Sequence, residues 1–219
     1  MDFRGASPSG EDLIVVRIEK SSQIVRWCLL GFAPIWLACA INPVNRGAWL
    51  LENLAFVLIP IAVFLDRRSP FSTRSWVQFS VLSVLHVIGS HYTYERMPVG
   101  TWLRDTFDLN RNPYDRVVHC LYGFLIFLPV REVLFRRARL GMAKELFVAF
   151  CIVSTGSMLY ELVEWFVAVI VDPSAGPAFL AMQGDEWDSQ KDMAVAVAGS
   201  IVAAGVEWRV DDPPGETSE

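Results

Sequence analysis

The sequence predicts an all-α fold: a polytopic membrane helix bundle of about six transmembrane helices, with both termini in the cytoplasm. Three observations lead there. Hydrophobic residues make up 53% of the chain and are gathered into long blocks. The mean hydropathy, +0.35, is high for a soluble globular protein. Lys and Arg fall mostly in the connections on one side of the blocks, as the positive-inside bias requires.

Residues 1–12 are rich in Gly, Ser and Asp and are expected to be disordered. Residues 13–23 are expected to form a short interfacial helix, so that 1–23 make a cytoplasmic head. Span 1 covers 24–41; no charge occurs between Trp27 and Asn45, enough chain to cross a bilayer. The mixed-charge head argues against a cleaved signal peptide, although Ala38-Cys39-Ala40 imitates a cleavage site. Asn42-Pro43-Val44-Asn45 is a turn. Span 2 covers 48–65 and stops at Asp66-Arg67-Arg68. Span 3 covers 75–92.

Residues 93–114 form a long connection with Pro98, Gly100, Pro113 and charges of both signs; loops of that length usually have a task. Span 4 covers 115–135 and span 5 covers 144–171. A second connection, 172–183, holds Pro173 and Pro177. Span 6 covers 188–206 and carries small residues every fourth position: Ala196, Ser200 and Ala204, then Gly199 and Ala203. Such rows let helix backbones approach closely in lipid, so span 6 is expected at the centre of the bundle. The transmembrane domain is thus 24–206, and 207–219 form an acidic tail expected to be disordered.

The net charge of −5 and the lack of a continuous basic stripe exclude a nucleic-acid binder. Cys28, Cys39, Cys120 and Cys151 each lie in an apolar block without a Cys-x-x-Cys pair, which makes them small buried hydrophobes. With six spans, thirteen Lys and Arg fall on the side of the termini and six on the other, which puts the termini in the cytoplasm.

That topology collects chemistry on the outer side. Asp185, Asp188 and Asp192 are spaced i, i+3 and i+7, so a helix would present them on one face. Asp115 and His119 are four apart, and Glu161 and Glu164 three apart, again one face each. By helix rise, Glu161 and Glu164 lie about 15 and 10 Å from the outer end of span 5, and His86 about 7 Å inside His91. Glu52 lies near the outer end of span 2. Carboxylates and imidazoles projecting from several helices are how bundles build metal sites. This donor set suits Zn, Fe or Mn rather than a thiolate-loving metal.

Blander roles exist for most of these residues. Asp115 and Asp188 can cap helices. Asp115–Arg116 and Lys191–Asp192 can be local ion pairs, and Glu52 an interfacial residue. Trp102, Trp165, Trp187, Tyr92 and Tyr94 fit an outer aromatic belt. Glu161 and Glu164 in mid-span resist such explanations, because intramembrane acids are costly and functional by default.

Four stretches in the same order resemble the YjdF-type family of bacterial inner-membrane proteins. They are His86-x4-His91-Tyr92-Thr93-Tyr94, Arg111-Asn112-x-Tyr114-Asp115-Arg116-x2-His119, Tyr160-Glu161-Leu162-x-Glu164-Trp165 and Gly184-Asp185-x-Trp187-Asp188-x-Gln190-Lys191-Asp192-Met193. The resemblance covers about 48–204 and implies a multi-pass protein of the bacterial inner membrane. It supplies no catalytic residues.

The expected function is a metal-dependent hydrolase acting from the outer side on a lipid-like or envelope substrate. His86, His91, Asp115, His119, Asp185, Asp188 and Asp192 form the ligand pool for a divalent Zn, Fe or Mn ion. The pool exceeds what one metal needs, so some members support others. Asp192, the deepest of its three, is the expected ligand among them. Glu161 and Glu164 serve as ligands or as the acid and base. Arg111 and Arg116, expected at the mouth, would hold an anionic headgroup. The partners are thus membrane lipid and a lipid-like or anionic small molecule.

Two other functions compete: a proton- or ion-coupled transporter, and a non-catalytic sensor or assembly protein. Against a carrier, the cytoplasmic half shows only Arg131-Glu132. The topology has a direct check. A cysteine placed at Arg104 should react with a membrane-impermeant thiol reagent added outside intact cells; reaction only from the cytoplasmic face would invert the map.

Overall fold

The computed structural model describes residues 10–53, 71–137, 140–171 and 183–211. Their regular structure is all helical: α1 (Gly10–Ala40), α2 (Arg46–Glu52), α3 (Thr73–His91), α4 (Pro98–Thr106), α5 (Tyr114–Leu125), α6 (Phe127–Arg137), α7 (Met142–Val171) and α8 (Asp188–Asp211). Four stretches are long and apolar enough to cross a membrane: Gln23–Ala40, Tyr114–Leu134, Met142–Ile170 and Asp188–Val210. Expected span 2 lies largely outside the described residues, with only its beginning seen as α2. Expected span 3 is the 19-residue α3, which is less apolar than those four. The expected tail beyond Asp211 and most of the 172–183 connection also lie outside the described residues.

The elements follow local sequence rules. α1 runs unbroken from Gly10, earlier than the expected start at Ile24, because Glu11–Gln23 contains neither Gly nor Pro. Pro34 is absorbed within it, as membrane helices allow. Asn45 caps α2 by accepting from the Ala48 N–H at 3.0 Å. Ser72 caps α3 by accepting from the Ser75 N–H at 3.1 Å. The expected single span 4 is instead two helices, parted at Ile126. Pro129 accounts for the break: it has no N–H for the Leu125 carbonyl, and its ring crowds that carbonyl. The connection 93–114 is no open loop, since α4 fills its middle.

The centre of the bundle is the crossing of α5 and α8. A Cβ on Gly123 would collide with the Ala196 carbonyl, and one on Gly199 would collide with the Cys120 carbonyl. Each glycine therefore admits the partner's backbone, the close approach that small residues permit. Ser200, fully buried, donates its hydroxyl to the Ala196 carbonyl at 2.9 Å and lies 3.3 Å from the Gly123 carbonyl. The buried stripe of α8 reads Asp188, Asp192, Ala196, Gly199, Ser200, Ala203 and Glu207. It is small in the middle and acidic at both ends.

α7 packs against α8 and α6 through Phe127, Leu146, Ala149, Val153 and Ala203. Large apolar side chains such as Phe147, Phe166, Ile201 and Val202 point outward, which suits hydrocarbon rather than water.

Gly123→Ala and Gly199→Ala should each destabilise the detergent-solubilised protein by about 1–3 kcal/mol, the cost of overpacking. Gly205→Ala, whose new methyl meets no atom within 4 Å, should be neutral or stabilising by up to about 1 kcal/mol. Thermal or SDS unfolding reads the difference. Equal effects at all three positions would refute the close crossing.

Candidate functional site

The α5–α8 crossing brings the N-termini of these helices together. Asp188 opens α8, and Asp192 follows one turn later; they are 3% and 2% exposed. Asp185 does not continue that helix as the sequence spacing suggested. Gln183 and Gly184 have φ of +48° and +84°, left-handed values that place them in a turn. Asp185 sits after that turn and accepts the Trp187 N–H at 3.2 Å.

Arg111 does not stand at an open mouth, and Arg116 is only partly exposed. Arg111 is buried, bonds Asp188, and lies 3.7 Å from Asp115. Arg116 reaches Asp185 at 2.5 Å, Asp188 at 3.3 Å and Asp192 at 3.8 Å. Lys191 completes Asp185 at 2.7 Å. The two arginines thus clamp α5 to α8 through the carboxylates. Asp188 and Asp185 are spent on that clamp, whereas the Asp192 Oδ1 accepts no hydrogen bond.

Asp192 instead joins two residues of α5. One ligand atom from each of Asp115, His119 and Asp192 lies within 4.8 Å of the other two. His119 Nε2 is 3.5 Å from Asp115 Oδ1 and 3.4 Å from Glu161 Oε1. Glu161 is 5% exposed, and its Oε1 accepts no hydrogen bond. With bonds of about 2.0–2.1 Å, neighbouring donors on a tetrahedral metal stand about 3.4 Å apart. Five carboxylates (Asp115, Asp185, Asp188, Asp192 and Glu161) meet three cations here (Arg111, Arg116 and Lys191). Buried charge must be paired or must coordinate a metal, so this excess calls for protons or a cation.

His86 and His91, expected in the ligand pool, are engaged elsewhere. His86 Nε2 lies 3.1 Å from the Glu52 carbonyl, which only an N–H can satisfy. Its Nδ1 then accepts from the Tyr94 hydroxyl at 2.5 Å. His91 Nδ1 lies 2.8 Å from the Cys39 carbonyl and ties α3 to α1, apart from the cluster.

Tyr94 corrects the aromatic-belt expectation. It is 7% exposed and folds inward over Gly89, where a Cβ would strike its ring. Thr93 and Tyr94 both have left-handed φ, +57° and +50°, costly for non-glycine residues and common where a side chain must be aimed. Trp102, Trp165 and Trp187 are exposed, as the belt requires. Sequence reasoning missed Tyr94, Tyr160 and Asn112 as site residues. The Tyr160 hydroxyl donates to Glu52 at 2.6 Å.

Asn112, fully buried, holds the platform. Its side-chain N–H groups reach the Glu95 and Met97 carbonyls, both at 3.0 Å. Its Oδ1 accepts the Tyr114 N–H at 3.0 Å, and its backbone pairs with the Gln183 amide in both directions. The one signal for these residues was their place within the quoted stretches.

A cavity of about 620 Å³ lies among α3, α5, α6 and α7. His86, Tyr94, Asp115, His119, Tyr160 and Glu164 line one end, and the remainder is mostly apolar. The triad and Glu161 therefore adjoin the polar end, and Glu164 faces into it.

The opposite end of the bundle holds a second ion network that the sequence reading reduced to Arg131-Glu132. Arg131 reaches Glu207 at 3.3 Å and Glu145 at 3.9 Å, and Arg74 reaches Glu207 at 2.8 Å. Glu132 accepts the Ser72 N–H at 2.9 Å, at the start of α3.

Asp185 permits a pH test of the clamp. Hydrogen bonds from Lys191, then Arg116 and the Trp187 N–H, hold its carboxyl well below the usual carboxylate range. A carboxylate favoured in the folded state stabilises it above the unfolded value and loses that effect as pH falls. Asp185→Asn should therefore lower the unfolding midpoint at pH 7. The gap from wild type should shrink as pH drops below about 4. A gap that stays constant down to acid pH would remove Asp185 from the clamp.

The comparisons with known proteins agree with this architecture. A family model described as "Predicted membrane protein (DUF2238)" matches residues 24–213. The "Inner membrane protein YjdF" of Escherichia coli (strain K12) is 30% identical over 180 residues, which is 81% of this chain and 86% of that protein. No solved structure matches. The chain is an integral, multi-pass protein of the inner membrane, and it belongs to the DUF2238 family of predicted membrane proteins.

Proposed function

We propose that this chain is a metal-dependent membrane hydrolase that works on a lipid-like or envelope substrate from the outer side of the inner membrane, with both termini in the cytoplasm. The observation that carries this reading is the triad Asp115, His119 and Asp192, with donor atoms mutually within 4.8 Å. It sits in a cluster richer in carboxylates than in cations. Glu161 Oε1 is the fourth donor. A divalent Zn, Fe or Mn ion held there would supply a water activated for attack at neutral pH.

The chain's own residues have separate tasks. Arg111 and Arg116 take up Asp188 and Asp185, which leaves Asp192 for the ion. They also fix the register of α5 against α8, as partners of metal ligands do. Glu164, facing the cavity beside Tyr160, is placed to take and return a proton as general base. His86, held by Tyr94 and the Glu52 carbonyl, shapes the polar end rather than binding the ion.

A second reading draws on the Arg131–Glu145–Glu207 network. Buried charges at both ends of a bundle also suit an ion-coupled transporter. In that case the cation bound at the triad would be cargo.

Metal content of the detergent-purified protein tests the proposal. Wild type should carry stoichiometric metal, and His119→Ala and Asp192→Asn should lose it. His91→Ala should keep it, and Asp188→Asn should weaken affinity about 10–100-fold, as outer-shell losses do. A wild type free of metal under metal-replete conditions would end the metalloenzyme reading. Uptake of the metal into proteoliposomes would favour the transporter.

A further inference from the structure

We infer that the cavity among α3, α5, α6 and α7 holds one hydrocarbon chain of the substrate, with the polar head at the His86, Tyr94 and Glu164 end. The inference rests on the proposed site and names its substrate class.

Shape is the first argument. The cavity is lined along α7 from Ile152 to Glu164 and along α3 from Ser75 to His86. At helix rise these stretches measure about 18 and 16 Å. The lining therefore follows the helix axes for about three turns. Its length is about half the ~30 Å hydrocarbon core of a bilayer. One leaflet's depth is the reach of one lipid chain.

Polarity is the second. Among the described residues the carboxylates and imidazoles that line the cavity are gathered at one end, beside the triad, and the Ser83 and Tyr122 hydroxyls farther along are bonded to the Phe79 and Val153 carbonyls. Trp76, Phe79, Val130, Val133 and Leu134 continue the wall away from it. An extended sugar or peptide would need many polar partners along the whole length, and among the described residues this wall offers only a few scattered hydroxyls. A chain anchored with its tip at Val133 and Leu134 would hold its head-group bond near Asp115 and His119, the orientation a head-group hydrolase needs. The volume also falls within the 300–1,000 Å³ usual for small-molecule sites (about that range in surveys).

Two sources share this chemistry, a free single-chain amphiphile and one chain of a two-chain lipid. The full-length protein in detergent is irradiated with a fatty acid bearing a diazirine at its chain tip. In a second arm it is irradiated with a phosphatidylethanolamine bearing the diazirine at the tip of one chain. Cross-links should appear at Trp76, Val133 or Leu134 and spare Val81 on the exposed face of α3. The arm that labels these positions identifies the source.

Ser83→Trp on α3 and Val130→Trp on α6 should each cut that labelling at least about tenfold, because a filled cavity leaves no room for the chain. Val81→Trp should leave it unchanged. Two blocking variants allow for one that fails to fold. Asp192→Asn, which tests the metal, should retain labelling, so loss of metal binding and loss of chain binding are separate results. Cross-links only at exposed positions in both arms, or unchanged labelling in a folded blocking variant, would overturn the inference.

Discussion

Everything at the acid-rich end depends on the backbone contact between α5 and α8. Gly123 and Gly199 let the two helices approach at the distance where each carbonyl occupies the place of a missing side chain. That crossing aligns Asp192 with His119 and Asp188 with Arg111. At the other end of the same stripe it aligns Glu207 with Arg131. Lipid offers no hydrophobic force to press helices together, so packing of small residues and polar pairs must do it. One crossing supplies both.

The ion pairs then divide the acids by role. A buried carboxylate without a partner is expensive, and removing one side of a buried pair costs about 3–5 kcal/mol. Arg111 and Arg116 lower that cost for Asp188 and Asp185. They leave Asp192 and Glu161 each with an oxygen that accepts no hydrogen bond, beside His119. The strain in Thr93 and Tyr94 has a similar logic. Two left-handed residues turn the chain back so that a phenol meets His86 instead of solvent. Asn112 holds the turn, α4 and the entry to α8 in one hydrogen-bonded unit. A site assembled from five segments is thereby kept in register.

Much of the fold was legible in the sequence because the bilayer imposes a simple rule: long apolar blocks with internal hydrogen bonding become helices. The small-residue row of span 6 announced its central position for the same reason. The break at Ile126 was legible in principle from Pro129 but was passed over within an apolar run. Spacing brought Asp115 to His119 and Glu161 to Glu164, since one helix fixes such neighbours. It misled for Asp185, because the left-handed Gln183 and Gly184 cannot be seen in a carboxylate pattern. It also pooled His86 and His91 with the cluster, although their partners lie on other helices.

The sequence by itself determined an all-α membrane protein with a concentration of acids and histidines toward one end of its spans. Periodicity, hydropathy and charge act along a single chain, so they could go no further. Which acids face arginine and which face histidine was decided only by the tertiary structure. That choice depends on the rotation and depth of α8 against α5, set by where two glycines let the backbones touch.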